Sequence, residues 1–161
     1  MVQIITILAV VILTAIDQII KFFIENSLKP NGIKVLIPNV LQLHYSENDG
    51  AMMGFMKGKT TVMIIAALII LLVLLVIVFS KKIKFGFLYC CLIAIVSGGL
   101  GNIIDRIFRG YVVDYIEALF VDFYIFNFAD CLVTVGAFLI IIYEIYDLIK
   151  ESKQKKVKQN G

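Results

Sequence analysis

Four stretches of this chain are apolar for long enough to cross a lipid bilayer as helices, and that decides most of what it can fold into. A hydrocarbon core about 30 Å thick requires roughly 20 apolar residues at the helical rise. The sequence meets this at about residues 2–23, 60–79, 85–104 and 126–146. Inside lipid only helices and closed barrels satisfy their own backbone groups. Runs of this length without period-two alternation specify helices. Charged residues make up only 17% of the chain, against about a quarter in a soluble domain. The expected fold is therefore an all-α membrane protein of four transmembrane helices, folded as a single domain over residues 1–161. The first run reads as a retained span and not a cleaved leader. No lysine or arginine precedes it, and Asp17, Gln18 and Lys21 stand where a small-residue cleavage site belongs.

Orientation follows from the basic residues. Lys81, Lys82 and Lys84 lie between the second and third runs, and Lys150, Lys153, Lys155, Lys156 and Lys158 follow the fourth. An even number of spans puts both groups on one side, which predicts cytoplasmic termini and extracytoplasmic loops at residues 24–59 and 105–124. The polar, lysine-rich segment 150–161 reads as a disordered basic tail near anionic headgroups. In the first outer loop, Val35–Ile37 and Leu41–Tyr45 flank a Pro38-Asn39 turn signal, so a small extracytoplasmic β-sheet on the membrane surface is expected. The net charge of +3 gives no case for nucleic acid. Cys90, Cys91 and Cys131 are odd in number, sit in apolar runs and have no metal-site spacing, so they read as packing residues. The single His44 leaves no serine–histidine pair.

Polar residues inside the apolar runs are the informative ones, because a charge in a bilayer costs at least about 2.5–3.5 kcal/mol and usually faces the bundle interior. Asp17 and Lys21 are four apart on one helix face, as an internal ion pair or a substrate contact. Glu47-Asn48-Asp49-Gly50-Ala51 carries an ordinary turn signal just before the second span. Gly98, Asn102 and Arg106 share one face at the end of the third span, with Ser97, Gly99 and Gly101 beside them, either as a packing seam or as a polar site. Asp114 stands in a short apolar run of the second outer loop, and Asp130 about one turn into the fourth span with Asn127 and Thr134 on its face. Two converging carboxyl groups cannot both ionise comfortably, so they share a proton. One then takes a proton from water while the other donates to a carbonyl oxygen. A proton or ion relay and purely structural roles are the alternatives on local chemistry.

The motifs Asp17-Gln-x-x-Lys21, Asn48-x-Gly50-Ala51, Gly101-Asn102-x-x-Asp105-Arg106, Val113-Asp114-Tyr115 and Asn127-Phe-Ala129-Asp130 come in the order seen in lipoprotein signal peptidases. Each is weak alone; together they span nearly the whole chain, which resembles that family of membrane aspartyl proteases. The resemblance implies a bacterial plasma-membrane enzyme, monomeric and without metal or organic cofactor. Its substrates would be prolipoproteins carrying a diacylglyceryl-cysteine, cut just before that cysteine. It implies catalysis by Asp114 and Asp130, with Asn48, Gly50, Asn102, Arg106, Asn127 and Ala129 around them and Asp17 and Lys21 in support. Asp105, Glu117 and Asp122 rank below Asp114 on the resemblance alone. Three positions depart from the family pattern: Met52-Met53 where Ala-Phe is usual, Tyr115 for a usual phenylalanine, and Cys131 where serine is common. Met53 fills similar volume flexibly, and Tyr115 reads as a small change. The rival is a small proton or ion transporter. It accounts for buried charges, but not for their gathering toward the predicted outer side.

Overall fold

The computed structural model describes residues 1–29, 32–50, 60–80, 83 and 85–159. Ala51, Met52 and Met53, and the orienting lysines Lys81, Lys82 and Lys84, lie outside those residues. The order is helix α1 (Val2–Leu28), strands β1 (Ile33–Ile37) and β2 (Leu41–Asn48), helices α2 (Thr60–Phe79) and α3 (Phe87–Phe108), strand β3 (Val112–Ala118) and helix α4 (Phe128–Gln159). All four helices are long and apolar enough to cross a membrane.

Helix α3 is the centre of the bundle. It packs on α1, α2 and α4, and half of its most apolar stretch is buried, against 11–17% for the other three. Tyr89, Leu92 and Ile93 join Val78 of α2 in one core cluster, and Val96 and Ile103 join Leu71 in another. Close approach of α3 to its neighbours depends on two glycines. A Cβ at Gly98 would collide with the Ala129 carbonyl oxygen, and one at Gly101 with the Asp17 carboxylate. Since both obstacles are held by other bonds, Gly101→Ala is expected to lower stability by about 1–3 kcal/mol, read as a lower unfolding temperature in detergent.

The three strands form one antiparallel sheet in the order β1-β2-β3. The predicted hairpin is present: Val40 N–H bonds Ile37 O, and Asn39 takes φ 58°, which asparagine tolerates. Strand β3 is an addition to the sequence reading, which left residues 112–118 in a loop. It forms because β2 offers it an edge and because Val113 and Tyr115 pack on Ile24 and Leu28 at the end of α1. That docking also explains why α1 runs past residue 23. The β2–β3 register shifts between Leu43 and Ser46, and such a bulge re-aims the side chains beyond it, here Asn48 and Asp114.

At the other end α4 continues as helix to Gln159, where the sequence suggested a disordered tail. Lysine, glutamate and glutamine are good helix formers, and Glu151 and Lys155 face each other one turn apart, 3.9 Å between charged atoms. The sequence of this segment matches a solvated helix as well as a coil.

Candidate active site

Asp114 on β3 and Asp130 in the first turn of α4 meet at the sheet end of the bundle. Asn127 joins them: its Nδ2 donates to Asp114 Oδ1 at 2.6 Å, and its backbone N–H donates to Asp130 Oδ2 at 3.1 Å. Its Oδ1 accepts from the Asp130 N–H at 2.9 Å. Asn127 and Asp130 thus form a reciprocal cap on α4. The same helix start draws on two more side chains. Ala129 N–H donates to Asp17 Oδ1 at 3.1 Å, and Phe128 N–H donates to the Tyr115 hydroxyl at 3.2 Å. The N–H groups that a helix start leaves without partners are what hold the Asp130 and Asp17 carboxylates in place.

Three asparagines surround the pair, and each has its carbonyl oxygen tied to a group that only donates. Asn48 Oδ1 takes the Gly50 N–H at 3.0 Å. Asn102 Oδ1 takes the Lys21 ammonium at 2.9 Å. Asn127 Oδ1 takes the Asp130 N–H. The amide NH₂ groups are therefore forced toward carboxylates: Asn48 to Asp114 Oδ2 at 2.8 Å, Asn102 to Asp130 Oδ1 at 2.7 Å, and Asn127 to Asp114. Amide orientation, usually a choice, is settled here by the partners.

Lys21 lies behind this shell, fully buried. It is 2.9 Å from Asp17 Oδ2 and 2.9 Å from Asp105 Oδ2, both also fully buried. Asp105 bonds Arg109 and accepts the Val113 N–H at 3.2 Å, one residue before Asp114. Gln18 donates to Asp17, Asp105 and the Gly101 carbonyl. This network ties α1, α3, β3 and α4 together, and among the described residues every buried side-chain nitrogen or oxygen has a partner.

The eight residues expected around the pair divide into two layers. Asn48, Asn102 and Asn127 bond the carboxylates. Gly50 is buried, and its carbonyl takes Arg106 Nη2 at 3.4 Å. Ala129 is wholly buried against Gly101. Asp17 and Lys21 reach the pair only through Asn102 and the α4 backbone, so burial puts them out of reach of a substrate. Gln18, Asp105 and Arg109 were not among the expected site residues, although Gln18 and Asp105 stand inside the motifs. Tyr115 is more than a small change from phenylalanine, since its hydroxyl caps Phe128. Glu117 is elsewhere on the sheet, 2.6 Å from Gln42 Nε2 and 2.7 Å from His44 Nδ1. Asp122 is exposed.

Burial pushes the Asp114 carboxyl up to about 6, and the nearby Asp130 charge adds to the rise; the Asn48 and Asn127 amides and Lys21 act against it. A carboxyl with that value carries its proton below pH 6 and loses it above. Any reaction that uses a proton on Asp114 should weaken as pH rises through about 6. Asn48→Ala removes a donor that favours the charged form, so the Asp114 pKa rises and the basic limb of the kcat/KM profile moves to higher pH. Profiles of the two proteins measured side by side check the sign.

A family model described as signal peptidase (SPase) II matches residues 8–146. The lipoprotein signal peptidase of Lactobacillus johnsonii is 34% identical over 130 residues, covering 81% of this chain and 84% of that protein. That of Streptococcus thermophilus is 34% identical over 134 residues, covering 83% and 88%. A bacterial membrane enzyme solved by the in meso method at 2.3 Å superposes with a TM-score of 0.81 at 36% identity, covering 89% of this chain and 88% of that one. A second, solved at 1.9 Å, gives 0.78 at 36% identity.

Proposed function

The chain belongs to the signal peptidase II family of multi-pass bacterial membrane proteases, and we propose that it is an aspartyl endopeptidase working through Asp114 and Asp130. Its substrates are prolipoproteins whose cysteine carries a diacylglyceryl group, and it cuts the peptide bond just before that cysteine. The observation that carries this reading is the bonding of two carboxylates to one asparagine, Asn127, inside a ring of amide donors. The pair holds one proton and a water. One carboxylate takes a proton from the water as its oxygen attacks the scissile carbonyl, and the other gives its proton to the carbonyl oxygen. Collapse of the tetrahedral species returns a proton to the leaving amine and frees the signal peptide. Arg106, half-buried beside both carboxylates, offers a guanidinium to a substrate carbonyl. Asn48, Asn102 and Asn127 keep the carboxylates in register, while Asp17 and Lys21 keep the asparagines so.

Lysine placement supports cytoplasmic termini, which puts the sheet and the carboxylates at the extracytoplasmic face of the plasma membrane. The enzyme acts as a monomer among membrane lipids. The test is a gel-mobility assay with purified full-length protein in lipid, given a prolipoprotein with and without its diacylglyceryl group. Cleavage of the modified form alone is expected. No cleavage of either form by folded protein overturns the reading.

A further inference from the structure

Strands β2 and β3 bring the Asn48 amide and the Asp114 carboxylate together, and both strands are moored to the same turn of α1. Lys29, the residue that closes α1, is 2.9 Å from Glu47 on β2. Glu25, one turn earlier and 3.6 Å from Lys29, takes the Tyr111 hydroxyl at 3.3 Å and Arg109 Nε at 3.4 Å. Those two residues lead from α3 into β3. The Lys29 ammonium also lies over two rings, 5.6 Å from the centre of Tyr45 and 5.9 Å from that of Tyr111. The Tyr45 hydroxyl donates to Glu47 at 2.9 Å, and Tyr45 stands inside the β2 register shift between Leu43 and Ser46. One cation thus grips the bulge, the strand beyond it and the entry to β3.

We propose that Lys29 and Glu47 are positioning residues that hold Asn48 in donation to Asp114. The proposal rests on the protease reading, which makes Asp114 a reacting group. Successive side chains of a strand point to opposite sides. Glu47 is exposed, whereas Asn48 beside it is half-buried and donates to Asp114 Oδ2 at 2.8 Å. The backbone they share therefore carries the pull of Lys29 on Glu47 across to the Asn48 amide. Strand β2 ends at Asn48, which pairs with Val112, the first residue of β3. The ladder has no further step to fix that end. An exposed ion pair contributes little to stability. A hydrogen bond, however, weakens steeply as its geometry degrades, so a small shift of the strand end is felt at Asp114.

The experiment uses Glu47→Ala and Lys29→Ala, which remove opposite charges. A direct field on Asp114 would move its titration down when Glu47 goes and up when Lys29 goes. Loss of the tether weakens the Asn48 bond in both, and a carboxylate that loses a donor titrates higher. The other charges beside Asp114, those of Asp130, Lys21 and Arg106, are the same throughout. The Asp114 titration is followed by NMR of isotope-labelled aspartate in the full-length protein in lipid, its signal assigned by its absence from Asp114→Asn. Cleavage is measured across pH on the same preparations. Both alanine variants are expected to titrate at higher pH than wild type and to carry the basic limb of cleavage with them. Each should lose about fourfold in kcat with KM little changed. Lys29→Arg, which keeps a cation able to pair with the carboxylate and stack on the rings, should behave as wild type. In an Asn48→Ala background neither alanine variant should shift the titration further. Opposite shifts in the two variants, no shift in either, or an equal further shift on top of Asn48→Ala overturns the proposal and leaves the protease reading intact. A lower unfolding temperature without a shift overturns it too, by making the pair a surface tie. The titration is read without turnover, so absence of cleavage by wild type removes the protease reading while the hold on Asp114 is still decided by the shifts.

Discussion

Asp114→Asn and Asp130→Asn are each expected to lower prolipoprotein cleavage by about 10⁴-fold, the upper end of what general acid–base groups contribute. On the proposed mechanism each carboxylate serves twice, once as base and once as acid, and an amide can do neither. The loss corresponds to about 5 kcal/mol of transition-state stabilisation. Stability should change far less, and the reason is local. Both oxygens of Asp114 accept from asparagine NH₂ groups, and both oxygens of Asp130 accept from Asn102 and the Asn127 N–H. An asparagine in either place turns one of these into a donor facing a donor, at a cost of about 1–3 kcal/mol. Cleavage rates and unfolding temperatures measured on the same preparations separate the two effects. Glu117→Gln is the control: that carboxyl is on the same strand but bonds Gln42 and His44, so cleavage should stay near the wild-type rate. A large loss in the control, or turnover near wild type in either aspartate variant, removes the pair from the mechanism.

The four helices were legible because lipid leaves the backbone few choices, and an uninterrupted run such as residues 60–79 contains its own evidence. The hairpin was legible through Pro38-Asn39. Strand β3 was not, because what makes Val112–Ala118 a strand is distant in sequence: the edge of β2 and the side chains of Ile24 and Leu28. No local pattern reports a partner of that kind. The tail illustrates the reverse problem, since lysine and glutamate suit both solvated coil and solvated helix.

Within the site, residue types were legible and orientations were not. A helical spacing of four paired Lys21 with Asp17, and buried charge in a bilayer marked them as meaningful. The second carboxylate on Lys21, Asp105, comes from another helix and could be ranked only by what it touches. The three asparagines carry a deeper example. Sequence gives an amide, but whether it donates to or accepts from an aspartate depends on what holds its other end. Gly50 N–H, Lys21 and Asp130 N–H answer that question in turn. Tyr115 looked like phenylalanine with a spare hydroxyl until the start of α4 was set against it.

Lys21→Met should be the most disruptive substitution outside the carboxylate pair. The ammonium has three acceptors at 2.9 Å: Asp17, Asp105 and Asn102. Methionine fills similar volume but leaves two fully buried carboxylates, of which Arg109 bonds Asp105 while also holding Glu25 and Gln18. Breaking a buried pair from one side costs about 3–5 kcal/mol, so a marked fall in unfolding temperature is expected. That alone would make Lys21 structural. The double variant Lys21→Met with Asp17→Asn distinguishes a second role, because it removes the orphaned charge and leaves Asp105 paired with Arg109. Stability should return in part. Cleavage should not, because Asn102 has lost the cation that kept its carbonyl oxygen turned from Asp130. Only the Asn127 amide, donating at 3.2 Å, is then left on that oxygen, and an amide held so weakly turns more readily to present oxygen to carboxylate. Thermal unfolding and kcat measured across the cycle read the two roles apart. Recovery of both together would reduce Lys21 to a counter-ion, whereas recovery of stability alone makes it the residue that aims Asn102 at the reaction.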